Sequence, residues 1–231
     1  MSDDVRLILG DCLQHLPALA AGSVDAVIAD PPYGMAFQSK RFATIANDQA
    51  PFVWWLPHAF TLVKEGGCLL CFCRWDSAEA FRLAIQWAGF RVASQLIWDR
   101  VIHGMGDLQG QPGPQHDTIW FATKGRYAFA GRRPTTVLRC PRPPGCELEH
   151  PNQKPTALLA ELIRSYTAPG ELVCDPTMGS GSTGVACVQT GRRFLGIELD
   201  PGYFALAERR ITACQGAGGL FDPAALAASQ P

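Results

Sequence analysis

A doubly wound α/β fold with a mostly parallel sheet is predicted by three features of this 231-residue chain. Strand-like apolar runs alternate with helix-like stretches along most of its length, the pattern of βαβ units. Several of the runs ("VDAVIA", "GCLLCFC", "ELVC") are almost continuously apolar, as suits strands covered by helices on both faces. Two of them end abruptly in an acid and a proline: Asp30-Pro31-Pro32-Tyr33 after the first, Asp175-Pro176 after the last.

In chain order, strands are expected at 6–9, 24–29, 68–73, 93–98, 118–123, 171–174 and 193–197. Helices are expected between them at 52–63, 75–88, 155–166, 182–190 and 201–211. Two segments interrupt the rhythm. Residues 104–117 ("GMGDLQGQPGPQHD") are rich in Gly, Pro and Gln and read as a long loop. Residues 125–152 are rich in Pro and Arg and read as an insertion. From about Cys214 the chain has little to bury and is expected to form a flexible tail. No internal repeat is present.

Composition narrows the class. A hydrophobic share of 47% with 18% charged residues belongs to a globular chain. The opening Ser2-Asp3-Asp4 has the wrong sign for a signal peptide, and Pro57 or Gly66-Gly67 cuts the longest apolar runs short of a membrane span. Nine cysteines at irregular spacing, without a secretory signal, imply reduced thiols and a cytoplasmic location. Cys68 and Cys71 are separated by an odd offset within one strand and so point to opposite faces, which argues against a zinc site. Net charge is −1, yet Lys124, Arg126, Arg132, Arg133, Arg139, Arg142 and Lys154 face only Glu147 and Glu149 within 124–154. That local basic excess suits a polyanion.

The stretch "DPTMGSGSTG" carries the chemistry of one corner. Gly179, Gly181 and Gly184 satisfy the dinucleotide pattern G-x-G-x-x-G, which makes a nicotinamide or flavin oxidoreductase the rival from another class. That fingerprint serves a pyrophosphate, however, and Asp175 stands four residues before the first glycine. Two negative groups in a poorly screened pocket repel. The acid makes sense for a ligand bringing a positive group, and S-adenosylmethionine brings an ammonium and a sulfonium with no phosphate. Glu198, ending "FLGIE", stands where an acid accepts from ribose hydroxyls. In open α/β sheets ligands bind beyond the carboxyl ends of strands where strand order reverses. If the strands ending at Asp30 and Asp175 are neighbours there, both corners face one crevice.

With "DPPY", "HPNQKP", "DPTMGSGSTG" and "GIELD" in that order, the chain resembles the β-class amino-methyltransferases of DNA, most closely the small phage-type and orphan adenine methylases. The resemblance runs from Leu9-Gly10-Asp11 to about Ile211. It implies a Rossmann-like seven-stranded methyltransferase sheet with permuted motif order, in a single domain of residues 1–213. Within it, about 125–150 would form a short target-recognition insertion, and 214–231 would be a tail. It implies S-adenosyl-L-methionine as cofactor. Asp11 would contact the adenine and Glu198 the ribose. The segment Asp175, Pro176, Thr177, Gly179, Ser180, Gly181, Ser182 and Thr183, with Lys154 and Thr156, would hold the methionine part. Thr177-Met178 departs from the family by replacing an aromatic.

The DPPY corner is expected to be catalytic. An exocyclic amine is a poor nucleophile because its lone pair is delocalised into the ring. The Asp30 carboxylate and the Pro31 carbonyl, fixed by Pro31 and Pro32, would accept its two N–H bonds and aim the freed lone pair at the methyl group. Tyr33 would stack on a base flipped out of the duplex. Asp at the first position favours N6-adenine, and N4-cytosine or an RNA base is the alternative. Cys140-Pro141 lies on the wrong side of the cofactor motif for cytosine C5 chemistry. Lys40, Arg41, Arg126, Arg132, Arg133, Arg139 and Arg142 are the candidates for DNA contact. DNA is the expected partner of a monomer or homodimer, with or without a companion restriction endonuclease.

Overall fold

The structure is a computed structural model and describes residues 4–36, 45–104, 109–110, 112–129, 133–143, 149–150 and 152–216. Among them, eight strands form one sheet: β1 (Val5–Leu9), β2 (Val24–Ala29), β3 (Val63–Cys73), β4 (Arg91–Asp99), β5 (His116–Thr123), β6 (Val137–Arg139), β7 (Leu172–Asp175) and β8 (Arg193–Glu198). Their order across the sheet is β1-β8-β7-β2-β3-β5-β4-β6. Every pairing is parallel except those of β5, which runs against both β3 and β4. Six helices complete the fold: α1 (Cys12–His15), α2 (Leu56–Leu62), α3 (Ala78–Trp87), α4 (Thr156–Tyr166), α5 (Ser182–Thr190) and α6 (Pro201–Gly216).

Side-chain alternation along the central strands builds two cores. Ala26 and Ile28 of β2, with Leu70 and Phe72 of β3, pack on one face against Leu158, Leu162 and Ile163 of α4 and Ala186 of α5. Val27 and Ala29, with Leu69 and Cys71, pack on the other against Leu56 of α2 and Phe81 and Ile85 of α3. The sheet is therefore doubly wound. Cys68 and Cys71 do fall on opposite faces. No helix among the described residues is long and apolar enough to cross a membrane.

The expected count of seven strands needs correction to eight. The additional strand, β6, lies inside the expected insertion and pairs in parallel with β4. Three residues are too few to display alternation, and only the neighbouring backbone makes them a strand. β3 also begins earlier than expected, because the chain continues through Gly66, in left-handed conformation at φ 81°, with a shift in register against β2. The first helix of four residues was not foreseen. The last runs through Gly216, into the segment read as tail, and 217–231 lie outside the described residues.

Strand order reverses between β2 and β7. From β2 the chain crosses through α2 to β3 on one side; from β7 it crosses through α5 to β8 on the other. These two strands pair directly, Ala26 with Val173 and Val27 with Cys174. Asp25 ties them at the opposite edge. One carboxylate oxygen accepts from the Leu172 N–H at 2.8 Å and the other from Lys64 Nζ at 2.6 Å. A hydrogen bond to a charged acceptor contributes about 1.5–3 kcal/mol, whereas a pair with a half-exposed lysine contributes under about 1 kcal/mol. Asp25→Ala should therefore lower stability by about 2 kcal/mol in urea denaturation, and Lys64→Ala by clearly less. Equal losses would show that the ion pair, not the bond to β7, is what Asp25 contributes.

Candidate active site

Because β2 and β7 are parallel neighbours, Asp30 and Asp175 stand at adjacent strand ends. One pocket opens beyond them. Its walls include Asp30, Pro31 and Pro32 from the first corner, and Asp175, Pro176, Thr177, Gly179, Ser180, Ser182 and Thr183 from the second. Asp11, Lys154 and Glu198 also line it. Three expected residues do not: Tyr33, Thr156 and Gly181.

The glycine corner is shaped by backbone. Gly179 and Gly181 have φ of 51° and 75°, and a Cβ on Gly181 would lie 2.8 Å from that of Ala207 in α6. Asp175 is buried; its carboxylate accepts from Thr183 Oγ1 at 2.6 Å and the Thr177 N–H at 3.1 Å. Burial pushes its carboxyl up to about 7, opposed by those two bonds and reinforced by the nearby Asp30 and Glu198. Glu198 accepts from the N–H groups of Gly179 and Asp200, each at 2.8 Å, and its pKa is likewise raised by burial. Asp11 caps α1 by accepting from the Leu13 N–H at 2.9 Å. Gly10 N–H donates to the Glu198 carbonyl at 2.8 Å, bringing the ends of β1 and β8 together.

The DPPY corner is braced by residues that sequence reasoning missed. Asp48, buried, accepts from the N–H groups of Gly34 and Met35 at 2.9 and 3.1 Å. The Pro32 carbonyl accepts from Phe52 N–H at 3.0 Å. Gly34 is at φ 86°, and a Cβ there would lie 2.7 Å from the Ala50 backbone. No periodicity marks Asp48; an acid within a turn-rich "ANDQ" was the only signal. Asp30 is held on both oxygens. Oδ1 accepts from the Tyr33 hydroxyl, and Oδ2 from Lys154 Nζ at 2.5 Å. Tyr33 is half-buried, its ring edge-on to Phe81 at 6.3 Å. Its hydroxyl is more valuable on a partly buried carboxylate than in solvent. Phe52, beside Pro32, presents apolar surface to the pocket instead.

His150, within "HPNQKP", also lines the pocket. Nδ1 accepts from the Asn152 N–H at 3.2 Å, and the ring lies edge-on to Tyr203 at 4.3 Å. Burial lowers its pKa to about 4, so it is neutral at pH 7. Two hydroxyls on the pocket wall, Thr177 Oγ1 and the Tyr203 hydroxyl, are buried without a hydrogen-bond partner. Leaving such groups unsatisfied costs about 1–3 kcal/mol each, which suits a pocket built for a polar ligand.

The basic stretch divides. β5 runs antiparallel, so Lys124 and Arg126 emerge at the edge opposite the pocket; Lys124 Nζ donates to the Phe60 and Val63 carbonyls there, at 2.8 Å each. Arg126 therefore does not share a face with Asp30, contrary to expectation. Arg133 is exposed and lies four positions before β6. Arg139, at the end of the outermost strand β6, lies on the sheet edge from which the pocket opens but away from the pocket itself; its largely exposed side chain donates to Asp99 at 3.1 Å, and Arg142 follows it. Lys40, Arg41 and Arg132 lie outside the described residues.

Asp175 yields a pH test. Its carboxyl is raised in the folded protein from an ordinary value of 3.8, so the folded chain holds a proton that the unfolded chain has lost. That contribution to stability is complete below 3.8 and disappears as pH rises through about 7. The ligand-free protein should melt at a lower temperature at pH 8 than at pH 6, and Asp175→Asn should flatten this slope. A slope unchanged by the substitution would refute the assignment.

Comparison with known proteins agrees with the geometry. A family model described as DNA methylase, for the N6/N4 methyltransferases, matches residues 24–142 and 130–209. The methylase YubD of Escherichia coli K12 is 32% identical over 214 residues, covering 91% of each chain. The type II methyltransferase M.HpaI of Haemophilus parainfluenzae is 26% identical, covering 90% of this chain and 74% of its own. The crystal structure of the M1.HpyAVI–SAM complex superposes with a TM-score of 0.72 at 25% identity, covering 89% of this chain and 99% of that one. The cytosine-N4-specific PvuII DNA methyltransferase shares the fold at a TM-score of 0.72 and 18% identity, covering 92% and 91%. The oxidoreductase alternative is thereby set aside: none of these likenesses supports it, and the buried Asp175 carboxylate lines the same pocket as the glycine turn. The chain belongs to the N6/N4 family of DNA amino-methyltransferases.

Proposed function

We propose that this DNA methyltransferase is a cytoplasmic enzyme that methylates the N6 amine of adenine in a flipped-out base, with S-adenosylmethionine as donor. The observation that carries the reading is the meeting of Asp30 and Asp175 in one pocket, at the ends of paired strands. When bound, S-adenosylmethionine supplies a methyl group on a sulfonium. Asp175, once ionised, balances the cofactor's ammonium. Glu198 accepts from its ribose hydroxyls, Asp11 meets its adenine, and Thr177 and Tyr203 offer the two unpartnered hydroxyls. A resident cation at Asp175 also explains why a carboxylate is tolerated at such depth.

At the other corner, Asp30 and the Pro31 carbonyl accept the N–H bonds of the target amine and draw its lone pair out of conjugation with the ring. Asp30 then takes the proton that the methylated amine sheds. Fixed acceptors of this kind stabilise charge as it develops, without reorganisation. Tyr33 keeps the Asp30 carboxylate aimed. Phe52 offers the flipped base a stacking surface, a contact of about 1–3 kcal/mol. Asp rather than Ser at position 30 favours adenine over cytosine N4.

The direct test is to incubate the protein with unmethylated duplex DNA and the methyl donor, digest to nucleosides and identify the product by mass spectrometry. N6-methyladenine is expected; N4-methylcytosine would move the target and leave the mechanism standing. Asp30→Ala should cut transfer about a thousandfold while cofactor affinity, by calorimetry, changes little. Asp175→Ala should weaken cofactor binding about ten- to a hundredfold, the loss of one charged hydrogen bond. The reverse pattern would overturn the division of labour between the corners.

A further inference from the structure

Lys154 contradicts a simple reading of the DPPY corner. Its side chain is 9% exposed, and its ammonium meets Asp30 Oδ2 at 2.5 Å, with the Tyr33 hydroxyl 3.4 Å away. It also lies over the rings of Phe72 and Tyr33, at 5.2 and 5.7 Å from their centroids. In this state the carboxylate expected to receive the target amine is already engaged on both oxygens, by Tyr33 and by a desolvated cation.

The competition is unequal. A charge-assisted bond between ammonium and carboxylate is roughly twice as strong as one from a neutral amine N–H. A base amine entering the empty pocket would have to displace the stronger partner or share a carboxylate whose charge is already matched. Were Lys154 to stay, its ammonium would also oppose the positive charge that develops on the amine nitrogen as it is methylated. Lys154 is carried on a flexible four-carbon stem just before α4, so it can exchange partners without moving the sheet. The pocket wall itself is acidic, with Asp11, Asp175, Glu198 and Asp200 besides Asp30. Those acids either brace the backbone or await the cofactor.

Resting on the function proposed above, we propose that Lys154 is a positioning residue that reserves Asp30 until cofactor is present. In the cofactor-free protein it occupies Asp30 and keeps the target base out. The carboxylate of the cofactor's methionine part is the anion that draws the ammonium away. Cofactor binding and capture of the flipped base are then coupled through one side chain, and by linkage each strengthens the other equally. The device prevents the enzyme from holding an extruded base with no methyl group to give.

The test reads base capture rather than turnover. A duplex carrying 2-aminopurine at the mapped target position is mixed with wild-type protein, Lys154→Met or Lys154→Arg, with and without sinefungin, a cofactor analogue that cannot transfer a methyl group. Fluorescence reports the flipped base. In wild type the affinity for the flipped state should rise about tenfold with sinefungin, within the usual range of such couplings. Lys154→Met should capture the base without the analogue, so that the ratio falls towards one, while Lys154→Arg keeps most of it. Lys154→Gln serves in place of the Met variant if that variant melts early. An unchanged ratio in the neutral variants would overturn the proposal. So would loss of capture in both states with an unaltered melting temperature, since Lys154 would then be holding Asp30 for the base. A wild-type protein that neither flips the base with sinefungin nor methylates DNA would instead overturn the function on which the proposal rests.

Discussion

The direct pairing of β2 with β7 is the constraint on which the rest depends. Parallel strands joined by crossovers that leave in opposite directions must open a crevice between their carboxyl ends, because no connection covers that point. Here the crevice receives Asp30 from one strand and Asp175 from the other, although they are far apart in the chain. Asp25 closes the same pair of strands at the other edge, with one carboxylate serving both neighbours of β2. The site therefore takes its position from the centre of the sheet, where side chains are packed on both faces, and its finer shape from loop residues such as Asp48 and Phe52.

Electrostatics gives the pocket its character. It concentrates carboxylates, two of them with proton affinity raised by burial, against the single lysine among its described walls. Such a cavity is poorly suited to phosphate and well suited to a cation. Asp30 and Asp175 meet this demand in different ways. Asp175 relies on hydroxyl and N–H donors and holds a proton readily, whereas Asp30 has Lys154 as its counter-ion. A pocket in which one acid is matched and the other waits has a built-in order of filling.

Much of this was legible in the sequence, because strand ends are announced by chemistry. An apolar run that stops at Asp-Pro carries its own boundary, and both corners were located from such runs. The doubly wound class followed from runs too apolar for a one-sided sheet. What escaped was set by pairing partners distant in sequence. β6 is a strand only because β4 lies beside it. The reversal of β5 sends Arg126 to the far edge, and charge counting along a linear segment cannot register a change of direction. Asp48 gains its role from burial and His150 from its place in the pocket wall, which single residues in turn-like strings do not advertise. Tyr33 shows the remaining limit: its motif was plain, but which way its ring turns was decided by Phe81 and by the carboxylate it serves.

The claim of one shared hollow is tested most directly by a bisubstrate ligand, an adenine joined through N6 by a short linker to the amino-acid-bearing nucleoside of the cofactor. If both corners face the same crevice, calorimetry should show this compound binding far more tightly than the cofactor half alone, since the second half binds at high effective concentration. Asp30→Ala and Asp175→Ala should each remove part of that gain. A compound that binds no better than its cofactor half would place the two carboxylates in separate sites and contradict the account.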